Sequence, residues 1–362
     1  MRPLRSISLT LAIAVASICW VGAQSAGAAV IPADFSPSQL HGEYAWGGIG
    51  DSRLNYNPTR FARVNLHTGA TTKFTPSLNF NYFWFGPSTD RAATALATYG
   101  SYSSNTQMLV RQDIFTGTQI LDSIPAPTGN CWPRLNPISI ANDGTVIALK
   151  QIPNDTPPNV SCSLDPSKTR LLRYAPGKSE GEDVWLPEKY RAWLTNYNIS
   201  IDANENSVAL AKRSTSKGPG LVVALDTEKH KVLARQIAGK VSSVSLANPR
   251  SLYWSQDGSR LYGKVKYLRI GKPDPRTIFR GQFNDGSTTN CGNRALVLQG
   301  RTLRLLSPKS KTLLTRRVKL DHFIAGIACS GDYLHFLDVE STDDYYGNDP
   351  YVRHIANISK LP

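Results

Sequence analysis

Polar turns alternate with short apolar or alternating runs along almost the whole chain. This is the pattern of half-buried β-strands, not of amphipathic helices. The stretch 251–267 shows it clearly: Tyr253 and Leu261 stand among small and polar neighbours, with Asp257-Gly258 between them. Glycine supplies the positive φ of a tight turn and aspartate bonds to the adjacent backbone, so two short strands joined at Asp257-Gly258 are predicted. Similar turns precede strands at Gly42-Glu43, Thr89-Asp90, Asn142-Asp143-Gly144, Asn204-Glu205-Asn206, Gly292-Asn293 and Gly331-Asp332. The marks recur roughly every 48 residues, a period that signals a repeat architecture.

A second mark follows within each unit: a strand, a Thr-Gly-like turn, and another strand. It is clearest at His67-Thr68-Gly69-Ala70 and Phe115-Thr116-Gly117-Thr118, and looser at Ala175-Pro176-Gly177, Asp226-Thr227-Glu228 and Ser307-Pro308-Lys309. In the fifth unit the best candidate is 277–283 running into Asn284-Asp285-Gly286. Two hairpins per unit make a four-stranded antiparallel sheet with two apolar faces. Such sheets bury both faces by packing radially. The predicted fold is all-β: a ring of seven four-stranded blades, with six or eight as alternatives. An N-terminal strand, for which 30–35 is the candidate, would close the ring. Residues 187–194 read as one short helix between the third and fourth units.

The runs Trp254-Ser255-Gln256-Asp257-Gly258-Ser259-Arg260-Leu261 and Asn65-Leu66-His67-Thr68-Gly69 resemble exported β-propeller repeats of the WD40-like and TolB types. The resemblance covers the architecture of the whole chain after its leader. It implies no substrate, because its motifs mark turns.

The first residues read differently. Arg2 and Arg5 precede an apolar run and the small-residue site Ala26-Gly27-Ala28, the pattern of a secretory signal peptide. The expected division is a leader over 1–29 and a single propeller domain over 30–362, secreted to the extracellular space or periplasm, with no transmembrane segment. Without Arg2 and Arg5 the chain carries 39 basic against 27 acidic residues, a net charge of +12. That charge favours an acidic polysaccharide or another cell-surface polyanion as partner. It is scattered rather than clustered, which does not point to a specific nucleic acid. Four cysteines remain after the leader, Cys131, Cys162, Cys291 and Cys329. An even count in an exported chain predicts disulfides, and Cys131–Cys162 with Cys291–Cys329 are the favoured pairs among three possible connectivities.

In a propeller, connections between hairpins and between blades share one rim, around the axial mouth. The loops expected there, 50–59, 99–106, 152–168, 212–220, 267–276 and 339–350, combine aromatics with arginines. Arg53, Tyr56, Trp84, Tyr99, Trp132, Arg134, Tyr197, Arg213, Arg269 and Tyr345 are the candidate ligand-binding residues: aromatic faces stack on sugar rings and guanidinium forks take carboxylates or sulfates. Trp46, Trp185 and Trp254 are assigned to packing. Two classes of function fit. One is a secreted binding module, with a carbohydrate or a protein as partner; a protein–protein scaffold is a variant of it. The other is an enzyme such as a polysaccharide lyase, which needs a base and a cation beside the substrate carboxylate; His322, Tyr82 and Arg134 are its candidates. The acidic run containing Asp338, Asp343, Asp344 and Asp349 is a candidate for structural calcium; no other cofactor is expected.

Overall fold

A computed structural model describes residues 27–28, 32, 35–49, 60–74, 82–99, 106–124, 133–154, 163–196, 199–212, 219–238, 240–246, 251–259, 262–281, 288–291, 293–318, 322–330, 333–340 and 353–360. The described chain is almost entirely β. Six antiparallel sheets, not seven, are complete within consecutive stretches of chain; each has four strands in sequence order. They are blade 1 over residues 35–74, blade 2 over 82–124, blade 3 over 134–183, blade 4 over 200–238, blade 5 over 240–281 and blade 6 over 288–317. A further four-stranded sheet, blade 7, is composite. It joins His322–Ser330, Tyr333–Glu340 and Arg353–Lys360 to the two-residue strand Gly27–Ala28. Gly27 pairs with Ile358 and Ala28 with Asn357. The pairing segment therefore lies just before the predicted 30–35, inside the stretch read as leader; Phe35 instead begins blade 1.

The innermost strands are Phe35–His41, Tyr82–Ser88, Arg134–Ile140, Ser200–Asn204, Lys240–Leu246, Thr288–Cys291 and His322–Ser330. Each contacts the innermost strand of the next blade, and the first also contacts the last. In blades 2 and 4 the second strands are rich in alanine, so neighbouring sheets approach closely: Ala92, Ala93, Ala95 and Ala97 are buried in blade 2, and Ala209 and Ala211 in blade 4. All but one of the apolar clusters among the described residues span blade junctions; the exception lies within blade 1. One joins Ile147, Leu149 and Leu171 of blade 3 to Val208, Leu210, Val223 and Leu225 of blade 4. This burial between sheets, at roughly 25 cal/mol per Å², is what an isolated blade lacks. Five inner strands carry a register shift against their neighbour, at Pro37/Gln39, Phe85/Ser88, Pro137/Ser139, Val241/Ser243 and Ile324/Gly326. Bulges bend a strand and increase its twist, which suits the crowded axis.

Two predicted turns are corrected. Asp257-Gly258 lies within the strand Ser251–Ser259, which pairs with Tyr262–Arg269. The register slips between Asp257 and Ser259, so Gly258 marks a bulge. In the same blade the turn from third to fourth strand follows Arg269 and contains Gly271 at φ 88°. The predicted turn Asn284-Asp285-Gly286 falls outside the described residues, beyond the fourth strand Arg276–Gly281. The predicted helix is present as one α-turn, Glu188–Arg191, continued by the 3₁₀ turn Ala192–Thr195. Tyr190, Trp193 and Leu194 are buried against blades 3 and 4.

Candidate functional site

Strand alternation sorts the residues between two rims. Inner strands begin at the rim that carries blade-to-blade and second-to-third-strand connections. They end at the rim that carries the turns within each hairpin. His322, Tyr82 and Arg134 are the first residues of the inner strands of blades 7, 2 and 3. The fold thus brings these three, far apart in sequence, to one rim on nearby blades. Lys240 begins the inner strand of blade 5 on the same rim. Arg134 is exposed. Trp84 lies two residues into the inner strand of blade 2, and Tyr99 ends the second strand of that blade, also at this rim.

Arg269 does not join them. It ends the third strand of blade 5, leading into the 270–275 turn on the opposite rim. Its expected position rested on placing Asp257-Gly258 one connection too early. Arg53, Tyr56, Trp132, Tyr197, Arg213 and Tyr345 lie outside the described residues, as do Asp343, Asp344, Asp349, Cys131 and Cys162. Asp338 lies in the strand Tyr333–Glu340 of blade 7, paired with Ile324 and Ile355. Among the described residues, no three His, Cys, Asp or Glu side chains converge as metal ligands. Cys291 and Cys329 form a disulfide that links the inner strands of blades 6 and 7.

The opposite rim shows an arrangement that the hydrophobic pattern does not reveal. A buried or half-buried arginine on the third strand reaches the first hairpin turn of the following blade. Arg63 donates to the carbonyl of Asp90 and covers the Tyr44 ring at 4.2 Å. Arg111 donates to the carbonyls of Gly144 at 2.6 Å and Ala175 at 3.3 Å, and to Gln119 Oε1. Arg173 donates to the carbonyl of Glu205 and, at 3.2 Å, to Thr227 Oγ1. A readable signal was present: Arg63-x-Asn65 and Arg111-x-Asp113 each lead into Thr-Gly. The Asn65 and Asp113 side chains accept two backbone N–H bonds each and set the turn. Aromatics add to the same stitching. Trp46 Nε1 donates to Thr89 O at 2.8 Å and Tyr253 Oη to Asn293 O at 2.6 Å. Trp185 follows the strand Glu182–Asp183 and stacks on His230 at 4.9 Å.

Arg111, Asp113 and Asp202, whose protonation is displaced, lie where neighbouring blades meet. Burial lowers the Arg111 value, against the pull of Asp113. Burial raises the Asp113 value, but the N–H groups of Phe115 and Thr116 together with Arg91 outweigh it and hold the carboxyl below its usual range. Asp202, on the inner strand of blade 4, accepts from Leu246 N at 2.7 Å, Ser245 Oγ at 3.1 Å and Ala203 N at 2.9 Å. Burial dominates there and raises its carboxyl.

A concavity of ≈ 440 Å³ also opens on this rim, between the first hairpin turns of blades 3 and 4. On the other rim, the Pro153–Leu164 bridge ties down the base of the 152–168 loop.

No protein-family model and no curated protein matches this sequence. Solved structures do resemble it. A chain from a study of two prolyl endopeptidases aligns with a TM-score of 0.54 at 10% identity, over 90% of this chain and 50% of that one. The uncharacterized protein lmo1340 from Listeria monocytogenes EGD-e aligns with a TM-score of 0.50 at 10% identity, covering 88% and 94%. The Dos1 propeller aligns with a TM-score of 0.45 at 12% identity, covering 88% and 74%. At such identities the likeness concerns the fold alone: this chain has the β-propeller architecture.

Proposed function

We propose that this chain is an exported binding module that recognises an anionic surface through the rim where the inner strands begin. The observation that carries this reading is charge. The chain holds 41 basic against 27 acidic residues, and Arg134 and Lys240 begin inner strands at that rim. Export is supported by the leader pattern and by the Cys291–Cys329 disulfide, a bond that persists in oxidising compartments. No helix among the described residues is long and apolar enough to cross a membrane. Polysaccharide and protein partners share the required chemistry, a dense array of carboxylates or sulfates.

Binding of the purified protein to polygalacturonate, dextran sulfate and poly-glutamate tests the reading. Counterion release predicts affinity that falls steeply with added salt, and Arg134→Glu weakens it. Binding to poly-glutamate alone assigns a protein-like partner; binding to the sugars assigns a glycan. Affinity for none of the three at low salt, or affinity indifferent to salt, refutes the reading.

A second reading is favoured by one observation: His322, Tyr82 and Arg134 each begin an inner strand at the same rim. A uronate lyase would use a base to take the C5 proton and a cation to hold the carboxylate as negative charge develops. Unsaturated-product absorbance from polygalacturonate, lost in His322→Ala, would establish it.

A further inference from the structure

We infer that the seam between blades 3 and 4 is a second binding site, on the rim opposite the first, and that it takes an uncharged saccharide unit. One position of the repeat differs between blades 1 and 3. In blade 1, Trp46 pairs across from Arg63; its indole fills the seam towards blade 2 and donates to Thr89 O. In blade 3 the same place, across from the clamp residue Arg173, holds Ile147. Isoleucine is smaller than tryptophan and has no donor for the neighbouring turn; Ile147 packs into the apolar cluster between the two blades and lines the ≈ 440 Å³ concavity. That volume lies within the range of small-ligand sites.

The lining has a definite chemistry. Ile140, Ile147 and Ala203 form its aliphatic part, and Asn142, Asn204 and Asn206 bring carboxamides from two turns. Asn204 Oδ1 accepts from the backbone of Asn206 at 3.2 Å and of Ser207 at 2.9 Å, which fixes that side chain. The Asn142 and Asn206 carboxamides bond to no other described residue. Each therefore offers two donors and an acceptor to a ligand. Arg173 holds the Glu205 carbonyl, so the turn is ordered before anything binds. No cation lines the concavity, and the Glu205 carboxylate is its one charge. An anion is disfavoured here, and a hydrocarbon would leave the amides unpaired. A neutral sugar ring has hydroxyls for the amides and an apolar C–H face for the aliphatic lining. The site is independent of the anion-binding rim.

Saturation-transfer NMR and calorimetry of the purified protein with cellobiose, maltose and N,N′-diacetylchitobiose test the inference. At least one is expected to bind. The double change Asn142→Ala/Asn206→Ala is expected to weaken it by at least about tenfold, the loss of one or two good hydrogen bonds. Ile147→Trp refills the seam and abolishes binding, whereas Arg134→Glu leaves it unchanged. Both asparagines are exposed, and thermal unfolding of the double variant within a few degrees of the parent shows an intact fold. Absence of binding by all three sugars, or equal binding by the parent and the double variant, overturns the inference.

Discussion

Arg111 is the sharpest test of how neighbouring blades are held. The residue is 3% exposed, yet its guanidinium ends on three acceptors, two of them carbonyls in hairpin turns of the next blade. Arg111→Met keeps the length of the stem and removes every donor. The bond to Gly144 O at 2.6 Å and the bond to Gln119 Oε1 are short and charge-assisted; each is worth about 1.5–3 kcal/mol. The third, at 3.3 Å, adds little. Against this stands the cost of burying the cation, visible in its lowered proton affinity, which methionine avoids. The balance is a destabilisation of about 3 kcal/mol, near the upper end for a single substitution. Urea unfolding, followed by tryptophan fluorescence, measures it from the shift in midpoint at constant m. Adding Gln119→Leu should reveal a coupling of about 1–2 kcal/mol, because both residues share one network. A loss below about 1 kcal/mol with no coupling would mean that apolar contact alone holds this seam and that the arginine is incidental.

Three further outcomes follow from local geometry. A Cβ on Gly86 would meet Thr94 Oγ1 at 2.6 Å and press on the Pro137 ring of the next inner strand; Gly86→Ala is expected to cost about 1–3 kcal/mol, read by chemical denaturation. Ser310 takes the left-handed turn position at φ 67° that glycine fills in blades 1 and 2, so Ser310→Gly should stabilise by about 1 kcal/mol and raise the melting temperature. Burial holds the Asp202 carboxyl above its ordinary value. The folded state therefore keeps a proton that the unfolded state has released. Stability from this group grows as pH falls through the raised folded value and levels off near the unfolded value of about 3.9. The parent should show that gain relative to Asp202→Asn across a pH series, and a flat difference would contradict it.

Much of the fold was legible because its turns are built by short-range chemistry. Asn65 and Asp113 each fold their side chain onto the two N–H groups that follow. Any sequence that does this before Thr-Gly announces a hairpin. The same locality explains the error in blade 5. Asp-Gly marks a positive-φ or irregular position, and Gly258 sits at a bulge while the connections on either side fall elsewhere. Local signals cannot say which of a blade's three connections they mark, and reading Asp257-Gly258 as the first of them puts Arg269 on the wrong rim. The arginine clamps are illegible in the sequence for another reason. A hydrophobic pattern treats Arg63, Arg111 and Arg173 as outward-facing residues, since arginine is almost never fully buried unless paired. Their partners are backbone carbonyls between 27 and 33 residues away, and a carbonyl has no side-chain identity to recognise.

The two rims can therefore differ in function for a structural reason. The rim carrying the hairpin turns must be stitched, because adjacent turns expose carbonyls that need donors where sheets meet. Trp46, Arg63, Arg111, Arg173 and Tyr253 supply them. The other rim carries the longer connections, and its inner-strand starts are free to present different residues blade by blade, as His322, Tyr82 and Arg134 do. A site on the stitched rim then requires omission rather than addition. Where one repeat places isoleucine at the position that another fills with tryptophan, the arginine still ties the seam, and the unfilled space becomes a pocket edged by turn asparagines. Stability of the ring and a cavity in its seam are compatible because different side chains of the same repeat control them.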